Sequence, residues 1–301
     1  MDSDSSVAEV IILRGAEALE DETPSLFIEL PHGATRASHY HDTRADLTGP
    51  FPSQLSHFFF VNTDVGSPEL AEAVARRYLA RFPSRAVVLL CSQIPRTFID
   101  CNRVLQPSIQ PAPDTGITPG LPPYVRDPAD QALLMARHAA YQAKADALLE
   151  SVCGAGGLVV MLHTYSPRSV GVTVDGDIVA KLHAAYEPDV FETWPLRPPV
   201  DIICRDLDGQ LHASPALLDA VVAGYQAQGH AAGQGETYPL HPVTTAAHRV
   251  MRYPLQSLCI EIRRDLIVSE FTPFSEMIPD PSRVEQMAAP LAEALIGYSA
   301  T

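Results

Sequence analysis

Two histidines follow apolar segments of the kind that form buried strands. The apolar run 26–30 leads to His32 and Gly33, and the run 157–162 leads directly to His163. Because α/β proteins bind ligands outside the carboxyl ends of parallel strands, both imidazoles are expected in one crevice, with Gly33 permitting a sharp exit from the strand. Imidazole is a common zinc ligand, so the pair predicts a metal site. The alternative is that each histidine only hydrogen-bonds a backbone carbonyl at the edge of the core.

A third ligand is expected from a carboxylate, because a catalytic zinc takes three protein ligands. Asp64 precedes a helix that is predicted to begin near Pro68, and it is the first candidate. Glu69, in the first turn of that helix, is the second candidate. Each also has an ordinary explanation. Asp64 would be a polar residue of the loop that approaches the helix, and Glu69 would favour the positive end of the helix dipole.

Glu261 lies within the apolar run 257–262. A carboxylate in a strand that is buried on both faces is costly unless a metal, an arginine or bound water compensates it. Beside a metal-activated water it could accept a proton and pass that proton to a leaving amine. The structural alternative is a salt bridge to Arg263, Arg264 or another buried arginine.

The segment 95–103 places charged and amide side chains around an apolar, strand-like centre. It contains Arg96, Asp100, Asn102 and Arg103. Arginine holds carboxylates in a bidentate geometry and asparagine adds a neutral donor, so an anionic substrate is predicted to dock here. The alternative is a structural ion pair between Arg96 and Asp100.

Composition excludes several classes of partner. The 301 residues are 46% hydrophobic and 19% charged, and 21 basic against 36 acidic residues give a net charge of −15. Such an acidic chain is not expected to bind nucleic acid or anionic membranes. The polar, acidic start resembles no signal peptide, which predicts a cytoplasmic protein. The five cysteines are widely spaced and are predicted to be reduced core residues.

The chain alternates predicted strands and helices, a pattern typical of a three-layer αβα sandwich with a largely parallel sheet. Strands are predicted at 9–13, 26–30, 86–91, 157–162, 200–204 and 257–262. Helices are predicted at 68–81 with Ser67 as N-cap, 127–151, 215–226 and 283–296. Long loops are predicted at 106–123, 187–199 and 229–242. A single domain over 1–301 is expected, with residues 1–7 flexible.

Five landmarks, taken in order over about residues 25 to 270, resemble those of the N-formylglutamate amidohydrolase family. They are Pro31-His32-Gly33, the Asp64 segment, the run Pro95 to Arg103, Leu162-His163, and the run Cys259 to Arg264. The segment 95–103 is the most specific of them. That family is related to the zinc carboxypeptidases, so the resemblance implies their mixed, largely parallel sheet with helices on both faces.

The resemblance also implies roles. His32, Asp64 and His163 would bind one zinc ion, Glu261 would act as general base, and Arg96 would assist catalysis. Substrate contacts would come from Asn102, Arg103, Tyr165 and Arg264. The implied reaction is hydrolysis of the amide bond of a small anionic substrate, an N-acyl amino acid such as an N-formyl one. The alternatives are a metallocarboxypeptidase acting on small peptides and a non-catalytic binding protein that keeps the fold.

Four positions depart from the family pattern. Gly33 stands where serine is usual, Pro68 occupies a second acidic position, Ala145 replaces a histidine of the long central helix, and Arg263 replaces an asparagine. These departures bear on the substrate more than on the chemistry. Arg263 is also a candidate to add charge to the pocket or to compensate Glu261.

Overall fold

Apolar, β-branched segments form one mixed sheet in the computed structural model, which describes residues 7–105 and 117–300. The described residues contain seven strands: β1 (Ala8–Arg14), β2 (Leu26–Leu30), β3 (Ala86–Ser92), β4 (Leu158–Tyr165), β5 (Val200–Ile202), β6 (Ala232–Gln234) and β7 (Ser257–Arg263). Their order across the sheet is β1-β3-β2-β4-β7-β5-β6. All six predicted strands are present, and only the short β6 was not predicted.

The centre of the sheet is parallel. Strands β3, β2, β4 and β7 run in one direction, whereas β1 pairs antiparallel with β3 and β5 pairs antiparallel with β7. Parallel central strands are buried on both faces, which explains their nearly continuous apolar sequences. The register places His163 of β4 opposite Glu261 of β7, so the two side chains share one face of the sheet.

Helices cover both faces of the sheet. In the described residues they are α1 (Ala37–Ala45), α2 (Leu55–Asn62), α3 (Ser67–Arg81), α4 (Pro128–Cys153), α5 (Ile178–Ala185), α6 (Pro188–Phe191), α7 (Pro215–Ala227), α8 (Thr245–Arg252) and α9 (Pro281–Ser299). Helices α3, α7 and α9 share one apolar core, and α1, α2, α4, α5 and α8 share the other. Along β2, Leu26 and Ile28 face the first core and Phe27 faces the second. The predicted three-layer α/β architecture is confirmed.

Several local predictions were wrong. Helix α3 is capped by Gly66 at φ 81°, and Ser67 is its first residue. The segment 95–103 is a series of turns instead of a strand, with the amide of Phe98 donating to the carbonyl of Pro95 at 2.9 Å. Val7 is buried and residues 1–6 lie outside the described part, so the flexibility of residues 1–7 stays a prediction.

The long loops contain short regular elements. Helix α6 lies in the predicted loop 187–199 and β6 in the loop 229–242, while most of the loop 106–123 lies outside the described residues. All five cysteines are free and buried, as predicted. In the described ranges, no helix combines the length and apolar character that a membrane span requires.

Candidate metal centre and active site

Two buried histidines meet at the carboxyl ends of neighbouring parallel strands. His32 follows β2 by two residues, and the Nδ1 atoms of His32 and His163 lie 3.3 Å apart. His163 is not at the end of its strand as predicted, because β4 continues to Tyr165 and keeps pairing with β7. The expected crevice nevertheless forms, because β2 ends at Leu30 and the residues that follow it leave His163 facing His32.

Asp64 joins the two histidines. Its Oδ2 atom lies 3.1 Å from Nδ1 of His32 and 3.0 Å from Nδ1 of His163. The amide of Thr164 also donates to this oxygen at 3.3 Å. The other candidate, Glu69, points elsewhere and forms an ion pair with Arg36. Geometry therefore selects Asp64 as the oxygen donor of the cluster.

The three residues fit a metal ion. Each residue offers one ligand atom, and these three atoms all lie within 4.8 Å of one another. Among residues 7–105 and 117–300, this is the group of histidine and acidic side chains that could hold a metal ion. Two imidazole nitrogens and one carboxylate oxygen are the donor set of many catalytic zinc sites. Burial and Arg96 oppose protonation of His32, yet Asp100 and Asp64 raise its pKa. Burial likewise opposes ionisation of Asp64, yet His32 and His163 lower its pKa. The pocket thus favours positive charge at its centre.

Asp100 fixes the outer side of this cluster. Its Oδ1 atom lies 2.7 Å from Nε2 of His32 and also accepts the backbone N–H of Asn102 at 2.8 Å. Its Oδ2 atom is 3.0 Å from Arg96 and 3.5 Å from Arg103. Burial alone would raise the pKa of Asp100, but Arg103, Arg96 and His32 hold that pKa well below its usual range. The ion pair weighed as the alternative for Arg96 is therefore present.

Glu261 faces the same space without a salt bridge in the described residues. Its Oε2 atom is buried and has no hydrogen-bond partner there. Arg263 pairs with Asp265 at 2.9 Å, and Arg264 donates to the carbonyl oxygens of Val61 and Thr164. Burial raises the pKa of Glu261 to about 7. The carboxyl group is thus free to exchange a proton with a bound molecule.

Asn102 and Arg103 lie at the turn that follows Asp100. The Oδ1 atom of Asn102 accepts hydrogen bonds from Thr245 Oγ1 at 3.1 Å and from the Ala246 amide at 3.0 Å. This leaves the amide nitrogen as the donor that Asn102 can offer a ligand. Arg103 donates to the carbonyl oxygens of Thr118 and Asn102, at 2.9 and 3.0 Å.

One cavity of about 220 Å³ brings all the predicted site residues together. It is lined by His32, Asp64, Arg96, Asn102, Arg103, His163, Tyr165, Glu261 and Arg264, among others. The phenol of Tyr165 donates to the carbonyl oxygen of Pro198, so its ring contributes to the wall while its hydroxyl is engaged. Ala145 is a fully buried core residue of α4 and does not line the cavity.

Arg197 also lines the cavity, although it was not predicted from the sequence. Its guanidinium lies over the rings of Tyr165 and Tyr238, at 5.0 and 5.4 Å from their centroids. It donates to Ser169 Oγ at 3.0 Å, to the Ser166 carbonyl and to the Tyr238 hydroxyl. Within the described ranges it forms no ion pair. The only sequence signal was a basic residue before two prolines in a long loop.

Gly33 closes a tight turn after β2, where its amide donates to the carbonyl of Leu30 at 3.1 Å, and it also lies in close approach to β3. A Cβ atom at this position would lie 2.4 Å from Sγ of Cys91 and 3.1 Å from the carbonyl oxygen of Leu30. The predicted sharp exit from β2 is present, and because the φ angle of Gly33 is not in the left-handed region, the close contact and not the φ angle disfavours a side chain here. The contact arises because β2 and β3 are neighbours and pair Leu30 with Cys91.

Comparison with known proteins identifies the family. The sequence profile of the N-formylglutamate amidohydrolases matches residues 25–268. The chain belongs to the N-formylglutamate amidohydrolase family. Membership makes it a hydrolase of carbon–nitrogen bonds, and the matched range includes the buried His32, Asp64 and His163 cluster, which could hold a metal ion. The predicted resemblance is confirmed.

Two solved structures share the fold of this family member, and a third is similar at a lower score. An N-formylglutamate amidohydrolase from Ralstonia eutropha is 18% identical, with a TM-score of 0.56 over 97% of this chain and 96% of that chain. A gene product of Agrobacterium tumefaciens is also 18% identical, with a TM-score of 0.55 over 100% and 97%. A metallo-carboxypeptidase from Pseudomonas aeruginosa is 11% identical, with a TM-score of 0.43 over 97% and 60%. No individual curated protein matches the chain.

Proposed function

We propose that this member of the N-formylglutamate amidohydrolase family is a zinc-dependent enzyme that hydrolyses the amide bond of an N-acyl amino acid. The observation that supports this most directly is the convergence of His32, Asp64 and His163 beside the unpaired carboxyl of Glu261. Two imidazoles favour zinc over magnesium or calcium, which prefer all-oxygen ligands. A zinc ion held there supplies Lewis-acid polarisation of the substrate carbonyl and acidifies a water molecule.

Glu261 moves the proton in this proposal. Its Oε2 atom accepts a proton from the attacking water and delivers that proton to the nitrogen of the leaving amine. Its place opposite His163 on the neighbouring strand keeps the carboxyl beside the ligand cluster. A base that shuttles one proton in this way contributes about 10²- to 10⁴-fold to the rate.

In this proposal Arg96 interacts with the reacting carbonyl group, whereas Arg103 and Arg197 interact with the substrate carboxylate. Arg96 lies within 3.6 Å of Asp64 and lines the cavity, so it is placed to stabilise charge that develops on the carbonyl oxygen. Asn102 and Arg103 anchor the substrate carboxylate, and Arg197 adds a second guanidinium for it. Tyr165 and Arg264 shape the cavity around the substrate.

The enclosure of the cavity favours a small substrate over a long peptide. Its volume is about 220 Å³. The loop residues Ile117 and Thr118, Arg197, and Tyr238 all line it, so each of the three predicted loops contributes to its walls. A dipeptide is no larger than the N-acyl amino acids considered, so the substrate panel below distinguishes the small-peptide metallocarboxypeptidase from the amidohydrolase.

The test is a substrate panel assayed with zinc-loaded protein. N-formyl, N-acetyl and N-succinyl amino acids are compared with dipeptides, and released amine is quantified. We expect hydrolysis of N-acyl amino acids, and a loss of about 10²- to 10⁴-fold in kcat for Glu261→Gln. Glu270→Gln, at an exposed position, is the matched control. Absence of hydrolysis of every compound, or an unchanged rate in Glu261→Gln, would overturn the proposal. Preference for dipeptides would favour the peptidase alternative.

A further inference from the structure

Part of the cavity is lined by hydrocarbon side chains. This apolar wall consists of Phe58, Val170, Val172, Val174, Ile178 and Leu182. None of them was singled out by the sequence, and the proposed catalytic steps use none of them. An apolar wall gives a hydrocarbon group of a bound molecule a surface on which it can leave water. The wall therefore indicates the chemical character of the substrate group that packs against it.

The local sequence explains how the wall forms. Residues 170–174 alternate valine with glycine or threonine, and side chains of an extended segment alternate between its two sides. Accordingly, Val174 is buried whereas Gly171 and Thr173 are exposed. Ile178 and Leu182 are four residues apart, so they lie on one face of α5. Both segments line the same cavity: Val170 and Val172 are half-buried, whereas Ile178 and Leu182 are 0% and 2% exposed and belong to the core.

The positive charges around the cavity are mostly engaged. Arg96 and Arg103 pair with Asp100, and Arg168 pairs with Glu192. Arg264 is buried and donates to two carbonyl oxygens. Among the described residues, Arg197 is the half-buried lining arginine that pairs with no carboxylate, and it donates to Ser169, Ser166 and Tyr238. Since Asn102, Arg103 and Arg197 bind one substrate carboxylate in the proposed function, no lining arginine of the described residues is left for a second one. Residues 106–116, outside the described part, contain no lysine or arginine in their sequence.

We infer that the substrate of this site carries a single carboxylate and an aliphatic or aromatic group that packs on the apolar wall. The inference rests on the proposed amidohydrolase function and narrows its substrate class. A side-chain carboxylate such as that of glutamate would lose its hydration against valine and leucine without gaining a partner. An apolar side chain, or an apolar acyl chain, would instead leave water and contact the wall.

The expected preference follows from buried surface. Each methylene group that leaves water on binding strengthens binding by about fourfold. A leucine side chain in place of the hydrogen of glycine should therefore raise kcat/KM by on the order of a hundredfold. The same reasoning applies to a hexanoyl group in place of a formyl group.

The experiment compares N-formylleucine, N-formylphenylalanine, N-formylglycine, N-formylglutamate and N-hexanoylglycine. We expect the leucine and phenylalanine compounds to exceed N-formylglycine and N-formylglutamate in kcat/KM. If N-hexanoylglycine alone exceeds N-formylglycine, the acyl chain occupies the wall, and the inference also holds. Equal values throughout, or a preference for glutamate, overturn it while leaving the amidohydrolase proposal intact. If no compound is hydrolysed, the same ranking is read from dissociation constants, and equal or reversed constants overturn it.

Variants of the half-exposed Val172 test the wall itself. Val172→Thr keeps the shape but adds a hydroxyl, and we expect it to lower the leucine-to-glycine ratio of kcat/KM by about fourfold or more. Val172→Arg supplies a cation and should raise the glutamate-to-leucine ratio. Thr173→Ala, on the exposed side of the same segment, is the matched control and should keep both ratios. Unchanged ratios in both Val172 variants, with folding verified by circular dichroism, would count against the wall.

Discussion

The Nε2 atom of His32 lies 2.7 Å from the Oδ1 atom of Asp100, deep in the protein. This hydrogen bond leaves Nδ1 of His32 facing Asp64 and His163, which is the side on which the cluster converges. The other oxygen of Asp100 interacts with Arg96 and Arg103. One carboxylate therefore orients a candidate metal ligand and positions the two arginines of the same cavity.

Replacing Asp100 should weaken metal binding. In Asp100→Asn the carboxylate no longer raises the basicity of His32 or fixes its ring, and outer carboxylates of this kind are worth about 10- to 100-fold in metal affinity. Zinc affinity is measured by competition with a chromophoric chelator. Asp42→Asn, at an exposed position, serves as the control and should bind zinc like the wild type. Equal affinities in Asp100→Asn and the wild type would show that the carboxylate has no such role.

Arg197 should contribute to the binding of an anionic substrate. A hydrogen bond to a charged group contributes about 1.5–3 kcal/mol, so Arg197→Met is expected to raise KM by about tenfold or more. Arg197→Lys should recover part of this loss because it keeps the charge. The steady-state kinetics are compared for a substrate and for its analogue with a carboxamide in place of the carboxylate. If Arg197→Met raises KM equally for the carboxylate and the carboxamide, Arg197 has a structural role and does not bind the anionic group.

Glu29 should be one of the most sensitive positions for stability. It lies in β2, and its Oε2 atom is 2.9 Å from Nε of Arg249, with both side chains almost completely buried. Tyr141 donates a hydrogen bond to its other oxygen at 3.1 Å. Removing one partner of a buried pair leaves an uncompensated charge, so Glu29→Gln is expected to lower the free energy of unfolding by about 3 kcal/mol.

Urea unfolding measures this effect, and the chain offers a matched control. Glu150 pairs with Arg252 at the surface, where both side chains are about half exposed. The same substitution there, Glu150→Gln, should change the free energy of unfolding by less than about 1 kcal/mol. Comparable losses in the two variants would mean that burial does not set the energy of these pairs.

A histidine pair should make stability depend on pH. Nδ1 of His57 lies 2.9 Å from Nε2 of His183, which joins α2 to α5, and one of the two nitrogens must be unprotonated to accept the hydrogen bond. Burial and the neighbouring His183 lower the pKa of His57. The unfolded chain therefore binds this proton more readily. The stabilisation is complete above about pH 6.5 and is lost as the pH falls below that value.

Urea midpoints between pH 7.5 and 5.5 test this dependence. The wild type should lose more stability over the interval than His57→Gln, whose side chain does not titrate. His41→Gln replaces an exposed histidine and should retain the wild-type slope. Identical slopes in all three proteins would exclude His57 as a source of acid sensitivity.

The sheet could be predicted because its strands have distinctive sequences. Segment 86–91 is apolar throughout and segment 26–30 is apolar except for Glu29, a pattern typical of strands buried on both faces. Helix α2 was missed because Leu55–Asn62 contains three successive phenylalanines and lacks a helical period. The turns of 95–103 looked like a strand because their apolar residues, including Phe98 and Ile99, are buried in the core.

The candidate site was predictable where it depends on strands and not where it depends on loops. His32, His163 and Glu261 lie in or directly after strands of known direction, so topology alone brings them together. Asp64 could be proposed but not chosen over Glu69, because that choice depends on where the turn before α3 directs each carboxylate. Arg197 and the apolar wall come from long connections, whose paths are set by tertiary contacts that no local pattern encodes.

Because Gly33 lies so close to Cys91, substitutions at these two positions, which are distant in the sequence, should depend on each other. The space beside the backbone of residue 33 already contains the sulfur of Cys91, so it has room for a side chain from only one of the two strands. A relative with serine after its first histidine must therefore carry a smaller residue at the position of Cys91, hold the sulfur in another rotamer, or separate these strands. Substitutions at the two sites should be found together in descendants of a common ancestor, each permitting the other.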